Sequence, residues 1–70
     1  MIKFEEVLNT DEIEEPNVEI WVGRNCCAVI TLNNKQGIFH IKLFKCEELP
    51  VCDLLLSIER ARNLIEANVR

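Results

Sequence analysis

The sequence predicts an α+β domain: a three-stranded antiparallel β-meander packed against one C-terminal α-helix, with a short N-terminal edge strand as a fourth member. Two observations carry this. Residues 18 to 44 alternate apolar and polar side chains with the period of a strand, and after Pro50 the apolar spacing changes to three and four, that of a helix. A third observation bears on function. Residues 1 to 19 hold Glu5, Glu6, Asp11, Glu12, Glu14, Glu15 and Glu19 against Lys3 alone, a charge of −6, so residues 20 to 70 carry +2 of the chain's net −4.

In the first strand Val18, Ile20 and Val22 share one face, with Glu19 and Trp21 on the other, and Gly23-Arg24-Asn25 supplies turn chemistry. A three-residue loop pairs Val22 with Cys26, Ile20 with Ala28 and Val18 with Ile30, directing both apolar sets to one side. Asn33-Asn34-Lys35-Gln36 then reads as a four-residue loop ending at Gly37, which pairs Ile30 with Phe39, Ala28 with Ile41 and Cys26 with Leu43. A five-residue loop puts His40 and Lys42 opposite Ile30 and Ala28, so the pattern selects the shorter one.

The helix is expected over 47–68. Val51, Leu54, Leu55, Ile58, Ala61, Ile65 and Val69 form its stripe toward the sheet, Glu47 and Glu48 favour its N-terminus, and Pro50 is tolerated in its first turn. Leu56 and Leu64 widen the apolar arc beyond what one small sheet covers, which implies a second apolar contact. Ile2 to Leu8 reads as the edge strand, followed by an acidic loop or single helical turn to Pro16. The chain is thus one domain, with residues 1–16 forming edge strand and loop, 17–45 the meander and 47–68 the helix.

Seventy residues bury only about 60% of the surface the unfolded chain exposes, so the core is small and a homodimer is expected. No apolar run is long enough for a membrane span, and Met1-Ile2-Lys3-Phe4-Glu5-Glu6 lacks the apolar core of a signal peptide, which predicts the cytoplasm, or the host cytoplasm for a viral chain. There the four cysteines are expected as free thiols, with Cys26 directed into the core beside Ala28 and Ile30. A Cys46–Cys52 disulfide is the rival arrangement.

No residue set announces catalysis. Cys27 falls diagonal to His40 on one face, but neither an activating group nor an oxyanion hole accompanies them. Gly23 and Gly37 are too far apart for a phosphate-cradling loop, and the Cys46-x5-Cys52 spacing departs from paired zinc ligands. Neither catalytic residues, cofactor nor metal is therefore expected.

The expected register places Trp21 beside Cys27 and Lys42, Glu19 beside Val29 and His40, and Thr31 beside Ile38, on a sheet face turned away from the helix. Trp21 is the sole tryptophan and an anchor of the kind that dominates interfaces. Ile2, Phe4, Val7 and Leu8 could fold over that face; otherwise it serves a partner. Candidate partner-binding residues are Asp11, Glu12, Glu14, Glu15, Glu19, Trp21, Val29, Ile38, His40 and Lys42.

A three-stranded sheet followed by one helix is similar in layout to AP2-type and integrase arm-binding domains, which lay the sheet in the DNA major groove. That layout implies basic residues on the sheet, where this chain offers Lys42, Arg24 and Lys45 opposed by Glu19. Direct nucleic-acid binding is therefore disfavoured. The chain resembles small phage-encoded inhibitors in size and charge, which implies an acidic, non-enzymatic protein occupying the basic groove of a nucleic-acid-handling protein. A self-assembling accessory subunit is the alternative.

Overall fold

The structure, a computed structural model, describes residues 3–9, 16–33, 35–46 and 48–68. Ile2, Asp11, Glu12, Glu14, Glu15, Glu47 and Val69, all invoked in the sequence argument, lie outside the described residues.

Four antiparallel strands form one sheet in chain order: β1 (Phe4–Asn9), β2 (Asn17–Val22), β3 (Asn25–Asn33) and β4 (Ile38–Leu43), followed by helix α1 (Val51–Asn68). The fold is α+β as predicted, and the fourth strand is the N-terminal one. β1 does not fold over the Trp21 face. It extends the sheet in plane, with Phe4 opposite Val22, Glu6 opposite Ile20 and Leu8 opposite Val18. Phe4 and Leu8 therefore join the helix side, while Val7, opposite Glu19, falls on the other face.

Both hairpins differ in detail from the sequence-derived register. Val18 does pair with Ile30 and Ile20 with Ala28, but Trp21 then pairs with Cys26 and Val22 with Asn25, leaving one extra residue at Cys27. The β2–β3 loop is accordingly Gly23-Arg24, not three residues. Gly23 at φ +61° followed by Arg24 at negative φ is the II′ pattern, whose twist matches that of the flanking strands. The bulge absorbs the residue that the shorter loop releases.

At the β3–β4 turn the pairs are Leu32 with Phe39, Ile30 with Ile41 and Ala28 with Leu43, two residues displaced from the expected register. Facing is preserved because the displacement is even. The turn forms later because Asn33 organises it: its carbonyl accepts from the amides of Gln36 (3.2 Å) and Gly37 (2.7 Å), and its side-chain oxygen accepts from Lys35 (3.1 Å). Gly37, at φ +67°, closes the loop.

α1 starts at Val51, later than the expected residue 47. The Pro50 carbonyl accepts from the Leu54 amide at 3.0 Å, so Pro50 precedes the first turn, where its missing N–H is harmless. At the other end Asn68 Nδ2 donates to the Leu64 carbonyl at 2.8 Å. The line facing the sheet is Ser57, Ala61 and Ile65, and it meets Val18, Ile20, Ala28, Ile30 and Leu32, with Phe4, Leu8, Phe39, Ile58 and Leu64 at the margins. Val51 and Leu55, placed in the core stripe by sequence, are 68% and 59% exposed. The contacting arc is rotated because Ser57 turns inward and donates to Glu6 on β1 at 2.8 Å.

Candidate functional interface

The helix occupies one face of the sheet, and among the described residues no element covers the other. Alternation along each strand populates this open face with Glu5 and Val7 of β1, Asn17, Glu19 and Trp21 of β2, Val29 and Thr31 of β3, and Ile38, His40 and Lys42 of β4. Every candidate residue from Glu19 to Lys42 therefore shares one surface. Their neighbours differ from those expected. Lys42 lies across Val29 from Glu19 instead of beside Trp21, and His40 pairs with Thr31. Ile38 pairs with Asn33 and is half exposed.

Trp21 sits at the acidic end of this face. Its indole Nε1 donates to Glu19 Oε1 at 3.0 Å, and Glu5 lies directly opposite it across the β1–β2 ladder. The Glu19 bond is possible because residues i and i+2 of a strand share a face. It orients the ring of a half-buried indole. Glu5 and Val7 belong to the surface but were missed in the sequence. Their alternation with Phe4, Glu6 and Leu8 was the available signal, because an edge strand over residues 2–8 that extends the sheet in plane puts Glu5 and Val7 on this face. At the other end Lys42 Nζ stands 5.5 Å from the centroid of the Phe44 ring, so the face grades from carboxylates on β1 and β2 to a cation on β4. Asn9 Nδ2 donates to Asn17 Oδ1 at 2.9 Å, bracing the β1–β2 edge.

The cysteines are arranged otherwise than the alternation suggested. Cys26, expected in the core, pairs with Trp21 and is only partly buried, whereas Cys27 is 2% exposed. The bulge exchanges their roles. Burial, then the neighbouring Cys46 thiol, push the Cys27 thiol up to about 11, the opposite of an activated nucleophile. Cys26 is also raised, first by burial and then by the negative charge of Glu19. His40 lies four residues before Phe44, whose amide donates to the Cys27 carbonyl at 2.9 Å just beyond β4, so the register holds His40 and Cys27 apart. Cys46 and Cys52 are free and exposed. Among the described residues no three His, Cys, Asp or Glu side chains converge as metal ligands, and no helix is long and apolar enough to cross a membrane.

A hollow of about 340 Å³ lies where α1 meets β1, lined by Glu6, Arg60, Asn63 and Leu64. It is open to solvent, and Glu6 is already engaged by Ser57. The chain matches no known family model, and no curated protein or solved structure shows a significant similarity to it.

Proposed function

We propose that this chain is a small acidic, non-enzymatic protein-interaction module that binds a basic protein surface, best fitted by an inhibitor or regulator of a nucleic-acid-handling protein in the cytoplasm. The observation that carries the reading is the uncovered sheet face with Trp21 held by Glu19 and flanked by Glu5. An amphipathic aromatic anchor ringed by carboxylates suits a partner that presents apolar contact among lysines or arginines. The remaining acids, Asp11, Glu12, Glu14 and Glu15, follow β1 in sequence and add four negative charges to the N-terminal segment. Direct DNA binding is the weaker reading, because Lys42 is the one cation that β2, β3 and β4 contribute to this face.

The test is affinity capture from the native host, followed by competition. Short duplex DNA should displace a captured protein, binding should weaken as salt rises, and a variant combining Trp21→Ala with Glu5→Gln and Glu19→Gln should lose at least tenfold in affinity. A partner indifferent to DNA, to salt and to these three changes would sink the reading.

A further inference from the structure

The helix layer is too narrow for the sheet. An α-helix with its side chains is about 10 Å wide, whereas four strands spaced about 4.8 Å apart span nearly twice that. α1 settles over β1 and β2, reaches β3 more thinly, and leans toward β4 through Arg62, whose guanidinium lies 5.4 Å from the Phe39 ring centroid. The outer strip of the helix side stays bare. On β4, Ile41 and Leu43 share the helix side with Phe39 yet are 44% and 66% exposed.

The helix flank on that same side is bare as well. Ile58 and Arg62 mark it, since one packs on the core and the other touches Phe39. At 3.6 residues per turn Val51 and Leu55 fall on this flank about two turns and one turn before Ile58, at 68% and 59% exposure. Ile41, Leu43, Val51 and Leu55, with the margins of Phe39 and Ile58, make one apolar patch. Its area is on the order of 500 Å², the upper end for a monomer and most of the ~800 Å² per partner that a standard interface takes, a polar rim supplying the rest.

We infer that this patch joins two copies of the chain about a two-fold axis, the Val51–Leu55 flank of each α1 covering the Ile41–Leu43 strip of the other copy's β4. A two-fold interface must be self-complementary. This patch holds a strip of sheet without a helix and a strip of helix without a sheet, each the complement the other lacks, in the pairing α1 already makes with β1 and β2. Charge permits it, because Glu5, Glu6 and Glu19 lie on β1 and β2 and, of the carboxylates on the patch's own helix flank, Glu66 is paired with Arg62 at 3.5 Å while Glu59, one turn beyond Leu55, falls at the rim. The dimer leaves the Trp21 face free, so it stands or falls independently of the partner proposed above.

Sedimentation equilibrium on the full chain tests this at roughly 100 µM, far above the Kd of a standard-size interface. The wild type should sediment at twice its 8.1 kDa. Leu43→Lys and Leu55→Glu should each weaken the dimer at least 100-fold while keeping the far-ultraviolet circular dichroism of the fold, since both side chains are mostly in solvent. Mixing the two variants should restore a dimer, because residue 43 of one copy meets residue 55 of the other and the new charges then pair. Ile38→Glu, on the opposite face that the proposed partner uses, should leave the sedimenting mass at that of the dimer. A wild-type monomer, a dimer unaffected by Leu43→Lys, failure of the mixture to re-associate, or loss of the dimer on Ile38→Glu would each overturn the inference.

Discussion

On one flank of α1, Ser57 reaches across to Glu6 and Leu64 lies down against the core; on the other, Val51 and Leu55 stand in solvent beside an equally bare Ile41 and Leu43. The difference teaches that hydrophobicity alone did not choose how the helix sits. The exposed flank is the more apolar of the two. What turns α1 toward β1 is a polar contact, the Ser57 hydroxyl donating to a half-buried carboxylate that otherwise loses water without a partner. The small Ala61 beside it lets the helix approach the sheet closely. The apolar surface left over on the far side is then available to a second chain.

The largest effect should come from the closed side. Ile65→Ala empties a fully buried site and should cost about 2–5 kcal/mol in urea-induced unfolding, while Leu43→Ala, measured where the chain is monomeric, should stay within about 0.5 kcal/mol. Equal costs would erase the contrast between the flanks. Ser57→Ala comes next, at about 1–2 kcal/mol, because it leaves Glu6 without its donor; a neutral result would show that Glu6 is adequately hydrated and that α1 is oriented by packing. The smallest effect concerns Cys27. With its thiol raised from 9.0 to about 11, the folded chain holds a proton that the unfolded chain releases first. That contribution is complete below pH 9 and disappears as pH rises toward 11. Alkylation at pH 8 followed by mass spectrometry should label Cys46 and Cys52 first and Cys27 last. Two cysteines reacting only after reduction would reveal a disulfide.

Much of the sheet was legible because alternation reports facing. Val18, Ile20, Ala28 and Ile30 found their correct partners, and Glu19, Trp21, Val29, Ile38, His40 and Lys42 emerged on one surface, as their parity required. Parity cannot detect an even displacement, so the β3–β4 register was out by two residues until the Asn33 hydrogen bonds placed the turn. Nor does it register a single extra residue hidden by a shorter loop: a three-residue turn without a bulge and a two-residue turn with one give the same pairs from Ile20 and Ala28 onward. The difference falls on the turn-proximal residues: Trp21 and Val22 change partners, and Cys26 and Cys27 exchange burial. The helix stripe was ambiguous for another reason. Apolar residues fill more than half its circumference, so periodicity could not say which arc meets the sheet, and the deciding residues, Ser57 and Glu6, are polar.

The strands pair in the order in which they are synthesised, each with its predecessor, so the sheet can zip from β1 to β4 through neighbouring contacts, a topology associated with fast folding. The lid comes last. Ala61 and Ile65 follow all four strands in the chain, so during translation Val18, Ile20 and Ile30 have nothing to pack against until α1 has emerged. Until then a nascent chain of this kind carries an unsealed apolar sheet, the condition under which incomplete chains aggregate or recruit chaperones. A chain cut before Ile65 would leave that sheet permanently unsealed, so such a product should be degraded instead of accumulating as a weakened version of the protein.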